Sequence, residues 1–221
     1  MASVRYTYPL KAEMYLRHHG LHQFGPGSLC HDVLNAAAGY GLVPEFAFTG
    51  LDAGETEFNH GELDAVLAAA VKAMSEQKVL SDDWRDAVDG ICDAYLGKLP
   101  SSFQFDGKTY TPESFRDHLG INPAQYASLT SFTHHAFGET FVLEVPDNFS
   151  RGQYLNLPIE DLTRVARKAL MDGYTVAWDA DVSEKGFSFR NGMALMPAEG
   201  EEAKMFQEVI EEAKVSQASR Q

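Results

Sequence analysis

The sequence predicts an α+β chain, helical in its first half and strand-containing in its second. Three observations carry this. Apolar residues recur three and four apart through residues 61–76 and 81–96, the period of helices with one buried face. Phe103-Gln-Phe-Asp-Gly-Lys-Thr-Tyr110 alternates around Asp106-Gly107, a hairpin signal because the turn needs residues that tolerate positive φ. Further on, short runs rich in β-branched and aromatic residues are bounded by proline or glycine.

Element by element, residues 6–19 read as a helix ending at Gly20. Residues 28–39 read as a second, with Ser28 as N-cap, Asp32 in the first turns and an apolar stripe of Leu29, Val33, Leu34 and Ala37. Helix 61–76 carries Leu63, Val66, Leu67, Ala70 and Met74. Helix 81–96 starts at Ser81-Asp-Asp, ends at Gly97 and aligns Trp84, Val88, Ile91, Cys92 and Tyr95. After the hairpin, Thr111-Pro112 opens a short helix that stops at Gly120, and Asn122-Pro123 opens another. Residues 141–145 form a strand closed by Pro146. Residues 158–171 form a helix with Pro158 at its first position, acidic residues early, basic residues late and Gly173 beyond its end. Residues 174–179 and 191–196 read as strands, and 200–217 as a helix with Phe206, Val209, Ile210 and Ala213 on one face. No internal repeat, linker or domain boundary stands out.

Composition excludes several classes of function. The 221 residues suffice for one sizeable domain, or two small ones sharing a core. Thirty-two acidic against 18 basic residues give a net charge of -14, and no Lys/Arg run exists, which argues against a nucleic-acid partner. No apolar run reaches the roughly 20 residues of a membrane span. The first 20 residues carry Arg5, Lys11, Glu13 and Arg17, so no signal peptide is visible. Two cysteines outside any Cys-x-x-Cys pattern give neither a disulfide framework nor a zinc knuckle, and a cytoplasmic location is the expectation.

The search for chemistry starts with the cysteines. Cys30 falls in the first turn of a helix, where the dipole lowers a thiol pKa. Its neighbour His31 points about 100° away on a helix, so the two make no pair, and Cys30 is read as a small packed hydrophobe. Cys92 lies on an apolar stripe and is read as core. His18-His19 and His134-His135 are adjacent pairs that a helix or strand would splay apart. No metal is expected, and His134-His135 is read as a loop in which one ring bonds backbone. There is no phosphate-binding glycine motif and no cofactor is expected. Residue chemistry alone names no reaction.

A resemblance adds what chemistry does not. Phe24-Gly-Pro-Gly-Ser-Leu-Cys-His-Asp-Val-Leu-Asn35, followed by Tyr40-Gly-Leu-Val-Pro-Glu45, resembles the substrate-binding loop and next helix of papain-like cysteine peptidases, most closely the bleomycin hydrolase and aminopeptidase C branch. Ala12-Glu-Met-Tyr-Leu-Arg-His-His-Gly20, Phe105-Asp-Gly-Lys-Thr-Tyr-Thr-Pro112, Tyr126-Ala-Ser-Leu-Thr-Ser-Phe-Thr-His-His135, Val142-Leu-Glu-Val-Pro-Asp-Asn148 and the stretch from Gly173 to Gly186 are similar to that branch in the same order. The resemblance implies a single partial papain-like domain: about 1–50 the helical half, 51–135 a family-type insertion, and 136–221 the start of the β-rich half.

It further implies the central part of a cysteine-type aminopeptidase that cleaves short peptides through a Cys-His-Asn site. The family's Gln-(five residues)-Cys-Trp, Asp-His and Asn-Ser-Trp-Gly strings do not occur here. By family order the Cys would precede Met1 and the His and Asn would follow Gln221, so no catalytic residue is expected within the chain. The alternative is a non-catalytic binding or scaffold module of the same fold. Substrate-side residues carry over as Gly25, Gly27 and Ser28 on the loop, with Trp178 and Asp179 on a strand across the cleft; packing with Tyr174 and Val176 is the other reading of Trp178. The implied partner is a peptide substrate, with neither nucleic acid nor membrane, and the resemblance allows a homo-oligomer of the full-length protein.

Overall fold

The computed structural model describes residues 1–51, 56–180, 182–183 and 186–194. It divides into two compact units, Met1–Ala177 and Trp178–Gln221, a boundary that composition does not signal.

The first unit opens with helix α1, Ala2–Arg17, which starts four residues earlier than its sequence pattern suggests and contains Pro9. Two helices, α3 (Gly61–Ser75) and α4 (Trp84–Leu96), form where the apolar spacing places them. Ala2, Tyr8 and Ala12 of α1 pack with Leu63, Leu67 and Val71 of α3 and Val88, Cys92 and Leu96 of α4. Val66, which the sequence places on the α3 stripe, is instead partly exposed, because the buried line continues through Val71. Polar clamps tie the same helices together. The buried Arg5 guanidinium meets Asp89 at 2.7 Å and Asp93 at 2.8 Å, and the Tyr8 hydroxyl donates to the Asp64 carboxylate. Charge-assisted contacts of this kind fix register between helices that would otherwise slide.

Helix α2, Cys30–Tyr40, begins two residues later than expected, and Ser28 is not its N-cap. Leu29 holds that position. Asp32 reaches back instead: its carboxylate accepts from the Leu29 N–H at 3.2 Å and from the Ser28 hydroxyl at 2.5 Å. The inward face is His31, Asp32, Ala36 and Ala37, whereas Val33 is half exposed. His31 on that face meets Tyr154 and Ser150, and Asp32 meets Ser28. At its C-terminal end, Gly41 (φ 81°) brings the backbone so close to the segment from Pro112 that a Cβ there would lie 2.1 Å from the Pro112 carbonyl carbon. Arg116 donates to the last carbonyls, Ala37 and Ala38, at 3.1 and 3.0 Å.

Strands β1 (Phe103–Phe105) and β2 (Lys108–Tyr110) form the expected hairpin, with positive φ at both Asp106 and Gly107. Helix α5, Pro112–His118, is capped by Thr111 and carries Phe115 against Phe103 and Phe105. The helix expected at Asn122-Pro123 is a single 3₁₀ turn, Pro123–Gln125.

A three-stranded sheet follows, ordered β3 (Leu129–Thr130), β5 (Gln153–Asn156), β4 (Thr140–Val142). The central β5 pairs parallel with β3 and antiparallel with β4. Strand β4 ends at Val142 rather than 145, because the chain leaves the ladder there. The Asn148 side chain takes over, donating to the carbonyls of Leu143 and Gly152 at 2.8 and 3.0 Å and accepting from the Gly152 N–H at 2.7 Å. Helix α6, Ile159–Met171, forms one residue later than expected, with Pro158 as its N-cap rather than its first residue, and buries none of its residues.

Residues 174–180 do not form the expected strand, and Tyr174 and Trp178 are 70% and 83% exposed. Strand composition stabilises a strand only where a neighbour completes the ladder. In the second unit, β6 (Phe187–Ser188) and β7 (Met193–Ala194) form a small hairpin. Of the expected strand 191–196, only Met193–Ala194 is strand among the described residues; Asn191 ends a 3₁₀ turn and Gly192 follows it at φ 62°. Residues 195–196 and the expected helix 200–217 lie outside the described residues. No helix among the described residues is long and apolar enough to cross a membrane.

Candidate functional site

The glycine-rich loop is held from below by a buried lysine. Lys11, on α1 and 4% exposed, donates its ammonium to the carbonyls of Gly25 and Gly27, the latter at 2.5 Å. The same nitrogen sits 5.8 Å from the centre of the Phe149 ring. Burial pushes the Lys11 pKa down, opposed by the charges of Asp147, Asp32 and Asp64. Gly27 adopts φ 91°, and a Cβ there would face the Asp147 carboxylate at 3.4 Å. Gln23 donates to that carboxylate at 3.2 Å, closing the loop against the segment 147–152. Gly25, Gly27 and Ser28 therefore occupy one turn whose glycine carbonyls face inward.

Beneath the loop runs a polar network. His31 is 9% exposed; its Nδ1 lies 3.0 Å from the Tyr154 hydroxyl and its Nε2 2.8 Å from Ser150 Oγ. Asp32 approaches the same Nε2 at 3.4 Å. A catalytic serine–histidine–aspartate relay would place the serine and the acid on opposite ring nitrogens. Here both lie at Nε2, so the arrangement joins α2 to the 150–154 segment rather than activating a serine. It is also tight: a Cβ at Gly152 would lie 2.2 Å from His31 Nε2.

Cys30 is exposed, not packed as its sequence context suggests. The two ring nitrogens of His31 are engaged by Tyr154 and Ser150. Cys92 is fully buried, as expected, and burial pushes its thiol pKa up to about 11. Trp178 and Asp179 belong to the second unit and are exposed; the exposure of Trp178 corrects its reading as a core aromatic. A hollow of about 330 Å³ lies beside Ala38, Arg116 and Pro123, but its guanidinium is occupied by the Ala37 and Ala38 carbonyls and by Asp117.

His134 and His135 depart most from expectation. They sit in a turn, not a helix or strand, and their side chains converge. His134 Nε2 and His135 Nε2 lie 3.2 and 3.3 Å from the same oxygen, Glu144 Oε2. Neither ring takes the backbone bond that a simple loop reading assigns to one of them. The contacts with His135 and then His134 hold the Glu144 carboxyl below the usual carboxylate range. His135 stacks on Phe141 with ring centres 3.9 Å apart, and Phe132 and His134 meet edge to face with ring centres 5.4 Å apart. Two asparagines fix the backbone on either side. The fully buried Asn156 accepts from the Phe132 N–H at 2.8 Å and donates to the carbonyls of Phe132 and His135, both at 2.9 Å. Asn148 holds Leu143 and so anchors the segment that carries Glu144.

No protein-family model and no curated protein matches the chain. Among solved structures, the crystal structure of PepW from Lactobacillus rhamnosis HN001, determined as the selenomethionine derivative, is similar in fold. The TM-score is 0.53 and the identity 18%, over 77% of this chain and 49% of PepW. The chain thus spans about half the length of that neighbour, and the two share an α+β fold.

Proposed function

We propose that this chain is the substrate-side portion of a papain-like cysteine aminopeptidase acting on short peptides in the cytoplasm, with the nucleophile, base and orienting amide supplied by sequence outside residues 1–221. The observation that carries this reading is the succession of family strings in family order along nearly the whole chain. The fold shared with PepW supports it. In this reading Gly25, Gly27 and Ser28 wall the peptide site, and Trp178 and Asp179 are the further substrate-side residues that the family likeness implies. The engaged ring of His31 and the inward Ser150 support a site whose chemistry lies elsewhere.

The test has two arms. Purified residues 1–221 should turn over no aminoacyl fluorogenic substrate, since losing the nucleophile removes orders of magnitude in rate. Turnover that a thiol alkylator blocks, and that Cys30→Ala abolishes, would overturn this by making Cys30 the nucleophile. The coding sequence on either side should contain a Cys-Trp helix start upstream and His and Asn strings downstream. A complete gene without them would favour the non-catalytic binding module.

A further inference from the structure

The geometry points to a binding site for a first-row divalent transition ion of the zinc type, formed by His134 Nε2, His135 Nε2 and a Glu144 carboxylate oxygen. One ring nitrogen from each histidine and a Glu144 carboxylate oxygen lie within 4.8 Å of one another. The histidine-to-glutamate separations of 3.2 and 3.3 Å match the edge of a coordination polyhedron. Ligands at about 2.1 Å from an ion stand about 3.0 Å apart in an octahedron and about 3.4 Å apart in a tetrahedron. An ion therefore fits between them with small side-chain rotations. Two imidazoles and one carboxylate are a donor set suited to zinc and its neighbours, and less so to calcium or magnesium, which prefer oxygen alone.

Chance proximity on an exposed surface is the competing explanation, and two features weigh against it. First, the backbone that carries the histidines is built rather than loose. Fully buried Asn156 bonds to Phe132, His135 and Ala136, so the turn is set before any ion arrives. Second, each ring is oriented by an aromatic neighbour, His135 by Phe141 and His134 by Phe132. The two ring centres lie 4.4 Å apart. A neutral imidazole binds an ion through a bare Nε2 with its proton on Nδ1, so a ring that donates from Nε2 to Glu144 shifts that proton to Nδ1 when an ion takes its place. With three protein ligands, one or more coordination positions remain open to water or to a ligand group. The site involves none of the residues assigned to the peptide-binding loop, so it stands or falls independently of the aminopeptidase reading.

Calorimetric titration of chelator-stripped protein with Zn²⁺ tests this directly. One ion should bind per chain. Glu144→Gln and His135→Ala should each weaken binding at least about tenfold, since even outer-shell partners of a metal cost that much. The double variant His18→Asn, His22→Asn removes the other close histidine pair, whose ring centres are 5.2 Å apart, and should leave binding unchanged. Far-UV circular dichroism checks that each variant folds. An independent readout on the unaltered chain is acylation of histidines by diethyl pyrocarbonate: Zn²⁺ should protect His134 and His135 and leave His18 reactive. No saturable binding by the unaltered chain, wild-type affinity in either ligand variant, or equal protection of all histidines would overturn the assignment.

Discussion

The side-chain amide of Asn156, fully buried in the central strand, donates to the carbonyl of His135 at 2.9 Å. The same amide reaches Phe132 on both its N–H and its carbonyl, so one residue replaces a stretch of ladder that the turn 132–136 cannot make for itself. Asn148 does the same for Leu143 and Gly152 on the far edge.

Replacing Asn156 by alanine should therefore be among the most damaging single changes in the chain. It leaves the Phe132 N–H and several part-buried carbonyls without their partner; each lost bond costs about 1 kcal/mol, and the total should reach about 3 kcal/mol. Asn122→Ala, which removes only the exposed cap on Ala124, should cost about 1 kcal/mol. Urea unfolding midpoints measure both. Comparable losses would mean that the buried amide does not hold the turn.

The two loop glycines should separate under substitution. Gly25 has open space around its Cβ position and no left-handed φ, so Gly25→Val should melt close to the parent. Gly27, at φ 91°, should lose about 1–2 kcal/mol as valine before any substrate is considered. In the full-length protein, Gly25→Val should lower kcat/KM for peptides by roughly ten- to a hundredfold through lost backbone pairing. Unchanged turnover with an unchanged melting temperature would remove Gly25 from the proposed substrate wall.

The thiols should react in two classes. Exposed Cys30 should alkylate within the mixing time of ordinary labelling, and fully buried Cys92 only as fast as the protein opens. The pH dependence follows from the raised Cys92 pKa. Below pH 9.0, its ordinary value, both folded and unfolded thiols are protonated and the stability it contributes is fully present. As pH climbs towards about 11, the unfolded thiol ionises while the folded one resists, and stability falls. The loss approaches about 2–3 kcal/mol, and Tyr8, raised by burial and by Asp64, acts in the same direction. A Cys92→Ala variant should show a smaller alkaline loss in chemical denaturation; an identical loss would assign the effect elsewhere.

Helix α6 leaves Ile159, Val165, Leu170 and Met171 between 42% and 76% exposed. An isolated chain with this face uncovered should bind a hydrophobic dye and self-associate as concentration rises. Leu170→Lys should reduce both signals, as read by dye fluorescence and sedimentation. A monomer at high concentration with no dye signal would mean that the face is not a sticky surface.

The sequence reveals those elements whose stabilising contacts are local. Helices α3 and α4 carry their own period, and the Asp106-Gly107 hairpin and the Thr111-Pro112 start are encoded within a few residues. Strands β3 and β5 went unread because two and four residues give no period, and their ladder partners lie some 26 residues apart along the chain. Residues 174–179 show the converse, strand composition without a ladder. At the site, the position of the glycine turn is readable, but the grip of Lys11 on it is a tertiary contact. The convergence of His134 and His135 escaped a rule that holds for helices and strands, because a turn can aim adjacent side chains at one point. The available signal was the Gly138 turn, which brings a glutamate back alongside the histidines ten residues on.

The order of strands in the sheet also imposes an order in time. The middle strand, β5, is the last of the three to be synthesised, so neither edge strand has a partner when it leaves the ribosome. The turn bearing both histidines waits for an amide 24 residues downstream of Phe132. Until residue 156 emerges, β3 and β4 are bare edges and Phe141 has no sheet to sit in, the condition in which nascent chains recruit chaperones or pair with the wrong strand. The sheet then closes in one event from its centre outwards, and a pause in translation between residues 142 and 153 would lengthen the interval in which that closure can go astray.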